Sequence, residues 1–236
     1  MKLISDLLES VRRQDCPVRR VCIGLHWTAV ESRFVGMAHT YKTARKVEIA
    51  RSGDLVGRSA LELAGRLREW EPLEASLGLA ALNSLVEPVG DALSVNDTIL
   101  GAAAGKKVAV IGRFPFNGQL AEIAAKAYFF EMEPEKGELP PFATEEYFPE
   151  ADVAVITATA LINKSLPRLL ELSKNAYTVV LGPSTPMSDV LFRYGADVAA
   201  GIRVVEPEAL IDSLMQGAKA FRKIKGVEPV TRFAPR

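Results

Sequence analysis

The chain has 236 residues, balances 29 basic against 29 acidic side chains, and is 48% hydrophobic. Zero formal charge excludes the broad positive surface of a dedicated nucleic-acid or anionic-membrane binder. Two Cys and two His exclude a disulfide framework and a four-sulfur zinc site.

Residues 1–14 set Leu3, Ile4, Leu7, Leu8 and Val11 at helical spacing and predict a docked amphipathic helix. Residues 18–30 read as one β-rich run, and residues 34–40 as a short strand pairing with it. Helical patterns over 59–70 and 74–86 complete a small α+β module, assigned to residues 1–104. Segment 94–105, ending in Gly-Ala-Ala-Ala-Gly, reads as a linker. Beyond it the pattern changes to short apolar runs at 107–111, 127–130, 153–157, 178–181 and 198–200, with helical patterns at 119–126, 165–174 and 187–194. Strands buried on both faces and alternating with helices specify an α/β fold, a Rossmann-like doubly wound parallel sheet over residues 105–236. A helix over 208–224 would close that domain, and 227–236 reads as a polar tail. No signal-peptide core or membrane-length apolar run is expected, which predicts a cytoplasmic protein with no membrane partner.

Ligands of doubly wound folds bind outside the carboxyl ends of the strands, so the strand-end loops carry the candidate residues. Gly112-Arg113-Phe114-Pro115 follows the first strand. It lacks the GxGxxG fingerprint and reads either as a simple turn or as a ligand loop. Glu131 ends the second strand at the position where nucleotide folds hold a ribose hydroxyl, although Glu133, Glu135 and Glu138 also fit a solvated acidic loop. Thr157, Thr159 and Asn163 follow the third strand and suit either helix capping or a polar ligand. Gly182, Ser184 and Thr185 follow the fourth; Thr185 before Pro186 is a helix-start signal and Ser184 is the freer hydroxyl. Asn83 falls among Leu79, Ala80, Ala81, Leu82 and Leu85, where an amide must face water, a partner or a cleft. His26 and His39 match no metal-site spacing and are assigned no ligand role.

Ile23-Gly24-Leu25, Trp27-Thr28-Ala29-Val30, Ala81-Leu82-Asn83-Ser84, Val110-Ile111-Gly112-Arg113-Phe114-Pro115, Leu161-Ile162-Asn163-Lys164-Ser165 and Leu181-Gly182-Pro183-Ser184-Thr185-Pro186 together resemble the putative heavy-metal chelation family, over the full length. That resemblance implies an enolase-N-terminal-like module followed by a Rossmann-like domain. It also implies a site between them, with Asn83 reaching from the first module toward the loops of the second. The family pattern commonly has His after the first-loop glycine, where this chain has Arg113. Two Cys and two His offer poor coordination to soft metals, so the family name reads here as a link to a chelator molecule and no metal ligand is assigned.

The resulting expectation is a protein binding a small polar heteroaromatic or nucleotide-like molecule in an interdomain cleft, condensing or hydrolysing a pterin-, flavin- or chelator-like compound. Glu131 and Asn83 would be its catalytic residues, and no cofactor is identified. Non-catalytic delivery of a metal or metal-chelate and SAM-dependent methyl transfer are the alternatives. Neutrality conceals opposed patches, since residues 131–152 are acidic and 219–236 basic. Their pairing within a subunit or across a homodimer is a further expectation.

Overall fold

The computed structural model describes residues 1–41 and 47–235, apart from the side chain of Arg222. Helix α1 (Lys2–Ser10) docks through Leu3, Ile4, Leu7 and Leu8, all buried. Strands β1 (Arg20–Ile23), β2 (Trp27–Glu31) and β3 (Val35–His39) then form an antiparallel meander. The expected single run over 18–30 is therefore two strands. It breaks at Gly24, whose N–H donates to Trp27 O at 2.9 Å to close the turn.

Helix α2 (Ala60–Ala64) starts at Ser59, whose hydroxyl accepts the Glu62 N–H, and passes into a 3-10 turn. Helix α3 (Pro72–Leu85) has proline in its first turn, the position that has no N–H to lose. Its Ala- and Leu-rich surface is buried nearly all round. Gly36 on β3 allows the close approach of sheet to helix: a Cβ there would lie 2.2 Å from Ala80 O and Ser84 N.

The expected linker is instead helix α4 (Asn96–Ala103), with Ile99 and Ala103 buried. It has no charge after its first turn and presents apolar residues that a flexible linker would leave exposed. The second half of the chain contributes β4 (Lys107–Ile111), α5 (Asn117–Ile123), β5 (Lys126–Phe130), α6 (Thr144–Tyr147), β6 (Val153–Thr157), α7 (Leu166–Leu172), β7 (Tyr177–Leu181), α8 (Val190–Arg193), β8 (Val198–Val204), α9 (Pro207–Met215) and β9 (Val227–Phe233).

The large sheet has the order β5-β4-β6-β7-β8-β9 and is parallel except for the β8–β9 pair. The expected polar tail is thus an antiparallel edge strand whose Val230 and Thr231 are buried. Glu228 and Pro229 of this edge strand stay exposed, which is why the segment reads as polar. Arg236 of that segment lies outside the described residues.

Alternation also divides the sheet between two cores. Val108, Val110, Val153 and Val155 pack with α4 and α5 on one face. Ala109, Ala154, Ile156 and Val180 share the other face with α1, α3, α7 and α8. A third cluster joins Ala29 and Met37 of the meander to Leu210, Ile211 and Leu214 of α9. The acidic loop after β5 and the strand β9 stand at opposite edges of the sheet, and no ion pair joins them among the described residues. Arg232 of β9 instead meets Asp189 at 2.6 Å. No helix among the described residues is long and apolar enough to cross a membrane.

Candidate functional site

The chain places β5 on one side of β4 and β6 on the other, so the winding direction reverses between β4 and β6. A crevice opens at such a reversal, outside the carboxyl ends of the strands. Gly112 leaves β4 with φ +114°, a conformation that side chains strain. A Cβ there would also lie 3.2 Å from Thr157 Cβ and 3.3 Å from the Phe114 ring. The loop is closed by Asn117 Nδ2 donating to Gly112 O at 3.1 Å, and Phe114 stacks on Phe116 with centroids 5.2 Å apart.

Arg113 organises the acidic segment. Its Nε and Nη2 donate to Glu138 at 2.8 and 2.6 Å, Nη2 also donates to Glu133 O at 2.9 Å, and Glu135 lies 3.3 Å away. Glu138 accepts the Glu135 N–H as well. The Arg113 guanidinium holds the Glu138 carboxyl down at about 2. The run of glutamates is therefore an arch tied back to the first loop. Beneath it, burial pushes the Glu131 carboxyl up; Arg113 opposes that rise and the negative Glu138 and Glu135 reinforce it.

A cleft of about 1380 Å³ runs between the strand ends, the meander and α9 with the segment after it. Gly112, Arg113, Phe114 and Pro115 contribute one wall; Glu131, Thr157 and Thr159 the floor; Gly182 and Ser184 the next strand end. A side pocket of about 110 Å³ opens beside Glu131, lined also by Tyr41 and Asn163. Asn163 accepts the Ser165 N–H and O–H at 3.0 and 2.6 Å through Oδ1, and it shares the side-pocket lining with Tyr41. Thr157 and Thr159 share a 3.0 Å hydroxyl contact while Thr157 caps the turn that follows. Capping and cleft lining thus coexist in these residues.

Two sequence candidates stand behind the cleft. Thr185 is buried and donates to Gly182 O at 2.8 Å, shaping the loop from within. Asn83 does not line the large cleft. Its Nδ2 donates to Met37 O at 2.9 Å and Ser184 O at 3.1 Å, joining β3 to the loop after β7. The Ser184 hydroxyl accepts the His39 N–H at 2.9 Å, a second tie between the same elements.

Sequence reading missed Trp27, His39 and Tyr41, which face the cleft from the meander. Trp27 pairs with His39 across β2 and β3, and the rings of Trp27, His39 and Tyr41 meet edge to face at 5.5 and 5.7 Å. Their signal was the spacing of two between His39 and Tyr41, which puts both on one face of an extended chain. It also missed the wall from Ala209 to Lys225, whose place depends on how α9 docks.

Comparison with protein-family models matches residues 94–229 to DUF364 and residues 4–86 to DUF4213, both described as putative heavy-metal chelation. The chain belongs to the putative heavy-metal chelation family. A crystal structure of a DUF364 protein of unknown function from Desulfitobacterium hafniense is 28% identical, covers 98% of each chain and superposes with a TM-score of 0.87. Another, from Pyrococcus horikoshii, is 19% identical over 98% of this chain and 100% of that one, with a TM-score of 0.84, and shares the fold. No curated protein matches significantly.

The family description raises the question of a heavy metal. Nitrogen and oxygen donors of the cleft include His39, Glu131 and Asp212, and neither Cys16 nor Cys22 lines it. Among the described residues no three His, Cys, Asp or Glu side chains converge as a metal site. This donor set does not fit a thiophilic metal.

Proposed function

We propose that the protein binds a small polar heteroaromatic or nucleotide-like molecule in this cleft and acts on it by proton transfer. With residues 1–104 and 105–236 taken as the two domains, the ligand would sit between them. The observation that carries the reading is the cleft of about 1380 Å³ at the winding reversal, walled by Phe114 and the Trp27, His39 and Tyr41 rings. Drug-sized ligands occupy cavities of roughly 300–1,000 Å³ with aromatic walls and a few polar groups, and this one has that makeup with room for solvent.

Glu131 has the chemistry of an acid–base residue. Burial raises its carboxyl above the ordinary carboxylate range, and the adjacent pocket brings Tyr41 and Asn163 beside it. A ligand hydroxyl or ring nitrogen at that point would exchange a proton with Glu131, while Asn163 and Tyr41 orient it. Thr157 and Thr159 supply hydroxyl contacts, and the family's link to chelation is read as a link to an organic chelator.

The test is calorimetric titration with riboflavin and with pterin, together with native mass spectrometry of gently purified protein. The expected result is a retained organic molecule or one-site binding of one of these rings, weakened at least about tenfold by Phe114→Ala. Binding that Phe114→Ala and Glu131→Gln both leave unchanged would place the ligand elsewhere and reject the reading.

A further inference from the structure

The wall of the cleft opposite Glu131 is built by the segment that follows α9. Gly217 and Gly226 bound it, with φ of +76° and +71°. It is anchored at several points along its length. The Ala218 N–H donates to Ser213 O, the Lys225 N–H to the Ser213 hydroxyl at 3.2 Å, and Ile224 is buried against α9. Near its start, Trp27 Nε1 donates to Lys219 O at 3.1 Å, tying the segment to the meander. Gly226 is equally constrained, since a Cβ there would lie 2.2 Å from Glu206 O. The segment is thus a pinned strap, and its Lys219, Phe221, Lys223 and Lys225 line the cleft.

Those side chains are mostly basic. Lys219, Lys223 and Lys225 line the cleft and are exposed, and Phe221 stands among them with 42% of its surface open. Among the described residues none of the three lysines joins an ion pair. Asp212 is the carboxylate on this side, so three ammonium groups face the cleft against one carboxylate. Arg113, the cation of the opposite wall, is already committed to Glu138 and Glu135. The cleft is therefore bipolar, with an acid–base carboxyl at the strand ends and an excess of positive charge on the strap.

From this we infer that the strap is an anion-binding wall and that the ligand is a heteroaromatic molecule carrying a phosphate group, its ring against Phe114 and the meander rings and its phosphate on Lys219, Lys223 and Lys225. Lysine suits this role as a mobile point charge with three donors and no fixed plane. A single carboxylate would leave most of that charge unanswered, whereas a doubly charged phosphate engages several ammonium groups together. The inference rests on the cleft being the ligand site, and deepens that reading by naming the ligand's class.

Calorimetric titration of the full chain with flavin mononucleotide, riboflavin and inorganic pyrophosphate separates the two ideas. For the native protein, flavin mononucleotide should bind about tenfold or more tightly than riboflavin, and the advantage should shrink as salt is raised. The triple variant Lys219→Gln, Lys223→Gln, Lys225→Gln should bind both flavins with the riboflavin affinity and lose pyrophosphate, while the three Lys→Arg replacements retain the preference. Equal affinity for the two flavins, or a preference that survives the Gln variant, overturns the anion wall and leaves the aromatic cleft standing. Pyrophosphate bound by the native chain and not by the Gln variant, with no riboflavin bound and flavin mononucleotide held no more tightly than pyrophosphate, supports the anion wall and removes the aromatic reading. Failure of both pyrophosphate and flavin mononucleotide to bind overturns the wall.

Discussion

Replacing Asn83 tests how the meander is joined to the loops of the parallel sheet. Its Nδ2 donates to Met37 O and Ser184 O, while its Oδ1 is enclosed without a partner among the described residues. Asn83→Ala removes two hydrogen bonds of about 1 kcal/mol each and leaves two carbonyls short of a donor, and it relieves the cost of the orphaned Oδ1. The net loss should be about 2 kcal/mol, which for a chain of this size lowers Tm by about 4–8 °C. Asn83→Asp is nearly isosteric but supplies no pair of N–H donors, and it sets oxygen against two carbonyl oxygens. It should therefore cost about 2 kcal/mol more than alanine. Urea denaturation followed by circular dichroism gives both values. The order decides the matter: an Asp variant as stable as the Ala variant, or more so, would refute the donor role and with it the account of Asn83 as the tie between β3 and the loop after β7.

Gly36→Ala should destabilise by about 3 kcal/mol or more, because a Cβ 2.2 Å from two backbone atoms of α3 forces β3 away from the helix. Gly101→Ala in α4, where a Cβ meets nothing within 4 Å, should instead stabilise by about 0.5–1 kcal/mol in the same denaturation assay. Ending the chain at Gly226 removes β9 and its pairing with β8 from Val198 to Val204, so the truncated protein should lose its cooperative melt and aggregate; a native-like melt would refute the edge-strand role. Burial pushes the Lys164 ammonium down to about 8 from an ordinary 10.5. Between those values the unfolded chain holds a proton that the folded chain has released, so stability should rise with pH across this window and Lys164→Met should flatten the rise. Since Lys164 is partly exposed, the effect should be about 1–2 kcal/mol.

The parallel sheet was the legible part of this fold. Val108, Val110, Val153 and Val155 alternate with residues that enter a different core, yet both sets are apolar, and such uninterrupted runs read as strands covered on both faces. The expected strand 153–157 coincides with β6. Where one face meets solvent the signal weakens. Residues 227–233 mix Glu228, Pro229 and Arg232 with the buried Val230 and Thr231, and this edge composition reads as a tail until the partner strand is known. Helix α4 was obscured for a different reason: its Gly and Ala content suits a linker as well as a helix, and the packing of Ile99 and Ala103 decides between them.

The candidate site divides in the same way. Gly112, Glu131, Thr157 and Gly182 could be placed together because strand ends in a doubly wound sheet lie on one edge whatever the loops contain. The opposite wall follows no such rule. It is set by α9 wedging against the meander through Leu210, Ile211 and Leu214, contacts about 180 residues away from Ala29 and Met37 in sequence. Gly24 permits that wedge, since a Cβ there would lie 2.9 Å from Leu214 O and 3.0 Å from Trp27 O. One glycine thus turns the chain between β1 and β2 and lets α9 come close enough for Trp27 to hold Lys219 O. The width of the cleft and the placing of its basic strap depend on this backbone contact, in which the absence of a side chain matters more than any chemical group.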